Sequence, residues 1–349
     1  MAYGNHQDFG EHARAAALDE HGAQPFDQRA GRALAARRDA GGVESVAVLR
    51  RHLPDADRSR SARRGLEPDP VGHARHRAGG VMAKRGIPIR NDEEIAKSRD
   101  AAKLASQVLT MIAEHVKPGV TTDELDARCR DYIVDALGAI PANIGYHGYP
   151  KTLCASVNHV VCHGIPSSRP LRDGDIVNLD VAVIKDGWFG DTSRMYFVGE
   201  PAELARRLVA TTYEAMHAGI RAVRPGATLG DVGYAIQQVA HREGFSVVRE
   251  YCGHGIGDIY HDEPQVLHYG RPGTGVPLRP GMIFTIEPML NAGKRDTHVL
   301  ADGWTVVTKD RSLSAQWEHM VVVTEQGVDV LTDDVKPQPF AVLSGAHAA

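Results

Sequence analysis

The sequence predicts an α+β fold in which two related halves share a central antiparallel sheet. Its first basis is an internal repeat. Residues 171–180, LRDGDIVNLD, recur at 278–287 as LRPGMIFTIE, an offset of 107 residues, and each copy ends in a carboxylate. Pro118-Gly119 with Thr121 maps onto Pro225-Gly226 with Thr228 at the same offset, and His147-Gly148 onto His254-Gly255. Solenoid units run to roughly 20–50 residues, so this period marks a duplicated half-domain. The second basis is periodicity: segments of helical spacing are separated by short β-branched runs. Halves packed face to face bring corresponding strand ends to one seam, where Asp180 and Glu287 approach each other.

The elements follow in order. Asn91 with Glu94 three residues on reads as a capping box. Ile95, Ala102, Ala105, Leu109, Ile112 and Val116 then keep helical spacing until Pro118-Gly119. A second helix opens near Thr121, carries Leu125, Tyr132, Ile133, Ala136 and Leu137 on one face, and ends at Gly138. In the partner half, Thr228 precedes Val232, Ala235, Ile236 and Val239, and Gly244 ends the run. Strands are expected at 176–184, 194–198, 282–286 and 319–323.

Composition sets outer bounds. A chain of 349 residues with 42% hydrophobic content can build a sizeable core. Net charge −4 and a pI near 6.5 give no sign of nucleic-acid or membrane affinity. Cys129, Cys154, Cys162 and Cys252 form no CxxC pattern, and free thiols fit a reducing cytoplasm. Residues 1–81 hold thirteen arginines, no lysine and eleven acidic residues without an apolar period. They read as an Arg/Ala/Gly-rich disordered extension, or as untranslated sequence upstream of a start at Met82, in preference to a nucleic-acid or ribosome-binding arm. From Met82 onward the pattern is strongly structured, so residues 82–349 form the folded domain in this reading.

Five residues make the candidate site. Asp180 ends the repeated strand, and Asp191 follows the Lys185-Asp186-Gly187 turn, so a hairpin sets the two carboxylates on neighbouring strands. Glu287 is the repeat partner of Asp180. His254 lies in YCGHGIG, where glycines permit close backbone approach. Glu318 precedes the apolar run HMVVV. Four carboxylates and an imidazole suit hard-to-borderline divalent metals such as Co, Mn, Fe or Zn. Four negative charges call for two cations, which bridging carboxylates hold about 3.5–4 Å apart.

These residues lie in blocks that resemble the type I methionine aminopeptidases from about residue 82 to 335. The blocks are YCGHGIGDIYHDEPQVLHY at 251–269, GYHGYPKTLCASVNHVVCHGIP, DGDIVNLDVAVIKDGWFGDTSRMYFVG, FTIEPM and DGWTVVTKDRSLSAQWEHMVVVT. The resemblance implies the duplicated pita-bread fold, a dinuclear centre on Asp180, Asp191, His254, Glu287 and Glu318, and removal of N-terminal methionine before a small second residue. It gives Glu287 the proton of the attacking water, for later return to the leaving amine. His163 contacts the substrate backbone, and His261 stabilises the oxyanion. Tyr146, Tyr149, Cys154, Tyr260 and Trp304 wall the methionine pocket. Asn143 and Tyr260 depart from it, standing where cysteine and phenylalanine are frequent. The implied partners are N-terminal peptides of nascent proteins at the ribosome, met by a cytoplasmic monomer, with no specific nucleic acid and no membrane. A proline-directed pita-bread peptidase shares the five ligands, and a non-catalytic pita-bread binding module is the more distant alternative.

Overall fold

The computed structural model describes residues 86–333, so the expectations for 1–81 and for the C-terminal end lie outside the described residues. Four helices recur as two pairs: α1 (Asp92–Ile112) with α2 (Thr122–Asp131), and α3 (Glu203–Ala222) with α4 (Leu229–Arg242). The capping box that opens α1 is formed, with Glu94 N donating to Asn91 Oδ1 and Asn91 N to the Glu94 carboxylate, both at 3.0 Å. Helix α2 continues into a π turn over Tyr132–Ala136. That turn rotates the chain, so Ile133 is buried while Ala136, expected on the inner face, is exposed. Helix α3 was not among the expected elements, although its buried residues Leu208, Val209, Thr212, Ala215 and Met216 keep helical spacing; its N-cap is Ala202, without a side-chain cap.

The repeat is physical. Gly119 N donates to Leu171 O at 2.8 Å, and 107 residues later Gly226 N donates to Leu278 O at 3.1 Å. Bridges Thr121–Pro170 and Thr228–Pro277 match, as do the capping boxes Thr121/Glu124 and Thr228/Asp231. One sequence match fails. Gly255 pairs with Phe284, whose repeat mate Val177 pairs with Val157, so His254 corresponds to Ser156. His147 lies instead in a short 3-10 turn, and its likeness to His254 is coincidental.

In the first half, strand Ile176–Lys185 pairs antiparallel with Trp188–Phe197 along one edge and with Leu153–Val157 along the other. In the second half, Ile283–Ile286 lies between His319–Val323 and Gly253–Gly255. The two sheets meet where Glu318 N donates to Ser193 O at 3.2 Å. Strand alternation then sorts the faces. Val177, Leu179, Val181 and Val183 pack with Leu109, Ile112, Leu125 and Ile133 of the first helical layer. Phe284 and Ile286 pack with Met216, Val232 and Ile236 of the second. Asn178, Asp180 and Ala182, like Thr285 and Glu287, therefore point to the opposite face. Among the described residues, no helix is long and apolar enough to cross a membrane.

Candidate metal centre

Each candidate ligand reaches the seam for a local reason. Asp180 sits opposite Ser193 and Asp191 opposite Ala182, so both carboxylates share one face of the hairpin, two positions apart. Cross-strand diagonal neighbours of this kind are about 7–8 Å apart at the backbone, within reach of a common ion. Glu318 is carried in by the bridge to Ser193, and Thr192 Oγ1 donates to its carbonyl at 2.7 Å. His254 stands between two glycines that admit no side chain. A Cβ on Gly253 would fall 2.3 Å from Thr285 O, and one on Gly255 would fall 2.0 Å from Glu263 O. His254 N donates to Thr285 Oγ1, and the same hydroxyl donates to Glu287 Oε1 at 2.8 Å.

The result is one cluster. His254 Nε2 lies 3.5 Å from Asp191 Oδ2 and 3.6 Å from Glu287 Oε1. Ligand atoms of Asp191, His254 and Glu318 all fall within 4.8 Å of one another. Burial, then the charges of Asp191 and Glu287, push Asp180 well above the usual carboxylate range. Glu318 is raised by burial and by Asp191, Glu287 and Asp180. Burial lifts Glu287 to about 7 against the lowering influence of His254. For His254, burial works to depress the imidazole. Its hydrogen bond to Asp191 and the charge of Glu287 outweigh that and raise it.

These features fit divalent cations. Asp191 Oδ1 and Glu318 Oε1 are buried oxygens with no hydrogen-bond partner, and a buried carboxylate without a counter-charge is costly. The donor set is oxygen plus imidazole. His254 Nδ1 lies 3.1 Å from Gly255 O, a bond that turns Nε2 toward the carboxylates, as in metal-binding histidines.

The other predicted residues form two aromatic groups beside the cluster. Tyr146, Tyr260 and His261 pack together, with Tyr260 and His261 rings 4.2 Å apart and His261 4.2 Å from His254. Tyr149 and Trp304 meet edge to face at 5.0 Å, and His163 lies 6.2 Å from Trp304. His163 holds φ 54°, a left-handed backbone unusual for a non-glycine residue. Burial lowers its imidazole to about 4. Cys154 sits directly opposite Asp180 in the sheet.

Several supporting residues escaped the sequence reading. Thr285 is one. Gln316 is another, its Nε2 donating to Glu287 Oε2 at 3.3 Å, and His268 Nε2 accepts from Glu287 N at 3.1 Å. Tyr251 packs edge-on against His163 at 5.6 Å. A signal existed for Thr285: it is the repeat mate of Asn178, and each is a polar residue two positions before a candidate ligand, on the same strand face.

Comparison with known proteins gives this geometry its family. The profile of metallopeptidase family M24 matches residues 96–325. The methionine aminopeptidase of Escherichia coli (strain K12) is 57% identical over 255 residues, spanning 72% of this chain and 97% of that protein. The crystal structure of methionine aminopeptidase from Rickettsia prowazekii superposes with a TM-score of 0.70 at 55% identity, covering 71% of this chain and all of that one. A prolidase from Pyrococcus furiosus shares the fold, with a TM-score of 0.57 at 22% identity over 71% of this chain and 66% of its own. The chain therefore belongs to metallopeptidase family M24, and within it to the methionine aminopeptidases.

Proposed function

We propose that the cluster is a dinuclear centre, held by Asp180, Asp191, His254, Glu287 and Glu318, that releases N-terminal methionine from peptides whose second residue is small. The supporting observation is a buried group of carboxylates with unpaired oxygens, with the Tyr146–Tyr260–His261 and Tyr149–Trp304 aromatic groups beside it. Two divalent cations, Co, Mn, Fe or Zn, would polarise the scissile carbonyl and acidify the attacking water.

The chain's own groups do the rest. Glu287 is the carboxylate that accepts the proton of the attacking water and returns it to the leaving amine. His261 is pushed below the ordinary imidazole value by its packed surroundings and by His254, His163 and His147, although its outer edge is exposed. The Tyr146 hydroxyl lies 2.7 Å from His261 Nδ1. Donation by that hydroxyl leaves the proton on Nε2, ready to donate to the oxyanion. His163 orients the substrate backbone. Tyr146, Tyr149, Cys154, Tyr260 and Trp304 enclose the thioether, a soft group that packs well on rings and a thiol.

The substrates are N-terminal peptides of nascent chains, met at the ribosome by a cytoplasmic monomer. The free cysteines are in keeping with a reducing compartment. A peptide panel varied at positions one and two, assayed with Mn or Co, tests the assignment. Methionine followed by glycine, alanine or serine should be cleaved fastest. Preferential cleavage before proline would replace this reading with that of a proline-directed peptidase.

A further inference from the structure

One arginine joins the segment that leads into α1 to the loop that carries His261. Residues 87–91 lie along the second half. Ile87 packs on its core, and Arg90 N donates to Gly281 O at 2.8 Å. A Cβ on Gly281 would fall 2.6 Å from Arg90 O, so glycine lets the segment lie close on the turn before strand Ile283–Ile286. The loop is the stretch 256–261, between strand Gly253–Gly255 and strand Asp262–Val266. It opens just after His254 and ends on Tyr260 and His261.

Arg90 is buried between the two, its side chain 9% exposed. The guanidinium lies over the Trp188 ring, 5.1 Å from the centroid, within the range of a cation–π contact. It also lies against Gly257, where an added Cβ would come within 2.7 Å of Nη2 and 3.0 Å of Cζ. Nη2 donates to Asp258 Oδ1, and Nη1 to Glu94 Oε1 at 3.5 Å. Arg90 Nε, by contrast, is buried without a hydrogen-bond partner. An apolar side chain would fill this place without that cost, so packing alone does not account for an arginine. What the guanidinium adds is a planar, charged fork that grips Asp258. The grip extends toward the site. Gly257 O accepts from Phe189 N at 2.8 Å, and the Phe189 ring stacks on Tyr260 with centroids 5.1 Å and planes 9° apart. Trp188 and Phe189 open the strand that carries Asp191. Leading segment, loop and hairpin are therefore locked together at Gly257 and Asp258, shortly before His261.

We propose that Arg90 is a positioning residue: by clamping Gly257 and Asp258 against Trp188, it holds the loop that presents His261 to the metal cluster. The inference rests on the oxyanion role proposed for His261 above. Arg90 supplies no ligand to the centre and acts through the loop. Loss of the clamp should appear in kcat and not in KM, because an oxyanion donor serves a group that exists only beyond the ground state.

The test uses the full chain and compares Arg90→Ala, Asp258→Ala, the pair and Arg90→Lys. On a methionine peptide with Mn supplied, Arg90→Ala should lower kcat by roughly tenfold, less than the loss that displacing a catalytic group by about 1 Å can bring. Asp258→Ala should lower it in the same direction. KM and calorimetric Mn affinity should stay at wild-type values. The pair should be no worse than Arg90→Ala alone, as expected of partners in one contact. Arg90→Lys keeps the charge and should recover part of kcat. Backbone amides of 257–261 should exchange faster with deuterium in both alanine variants, with and without Mn. Wild-type kcat in Arg90→Ala, effects that multiply in the pair, or unchanged exchange in the loop would each overturn the inference. So would variants that lose only thermal stability. If Arg90→Ala fails to fold, Asp258→Asn leaves the leading segment in place. Lower kcat with faster loop exchange in that protein supports the clamp, and wild-type values overturn it. A wild type inactive on methionine peptides overturns the proposed function, while loop exchange still reads whether Arg90 orders the loop. An active wild type with silent substitutions overturns this inference alone.

Discussion

Metal-stripped protein carrying Glu287→Gln should be more stable than the wild type above pH 7, although it replaces a residue of the site. Burial is the largest influence on Glu287; the opposing effect of His254 and the raising effect of Asp191 follow, and the carboxyl moves from 4.5 to about 7. Between those values the folded state binds more protons than the unfolded state, so stability falls as pH rises. The contribution is whole below about pH 4.5 and lost once the pH passes about 7. At about 1.36 kcal/mol per pKa unit, the loss amounts to about 3 kcal/mol. Glutamine keeps the shape without the charge. Gln316 Oε1, a buried atom lacking a partner, can accept from the new amide if the Gln316 side chain flips. Burial also lowers His268 and His319 to about 3, which contributes a slope of opposite sign, but both proteins share it and it cancels in the difference. Urea unfolding in chelator at pH 4.5, 6 and 8 reads that difference directly. A difference flat in pH, or a less stable variant at pH 8, would refute the buried-carboxyl argument. Added Mn should reverse the order at pH 8, because the ionised wild-type site gains more from the cation.

Asp191→Ala and Glu318→Ala should each abolish turnover in a folded protein, with calorimetry showing a metal site weakened or lost; near-normal peptidase rates in either would sink the dinuclear assignment. Trp304→Ala should blunt the preference for methionine by about 1–3 kcal/mol in kcat/KM, the scale of missing methylenes in an apolar pocket, as measured on the peptide panel. Protein lacking residues 1–81 should hydrolyse peptides at the full rate; a tenfold fall, about 1.4 kcal/mol in the barrier, would make that segment part of the enzyme.

What the sequence could reveal depended on whether a signal was local. Capping boxes at Asn91, Thr121 and Thr228 are written within four residues, and all three form. Helix α3 opens at Ala202 with no such cap, so nothing marks its start, although Ala205, Leu208, Val209, Thr212, Ala215, Met216 and Ile220 recur at helical spacing and form its buried face. The repeat was legible because Asp180 and Glu287 end copies of one strand. Yet the same offset misassigned His254, whose true counterpart Ser156 emerges only from strand register. The supports of Glu287 were hidden for a related reason. Gln316 and His268 reach it from separate segments, and nothing in their spacing marks them. Thr285 could have been found, because alternation places it and its repeat mate Asn178 on the ligand face, where an apolar residue would be ordinary. The Asn143–Tyr260 contact marks the limit of this kind of reading. Each residue looked like a separate departure, and only the fold shows that 117 positions apart they complete one hydrogen bond.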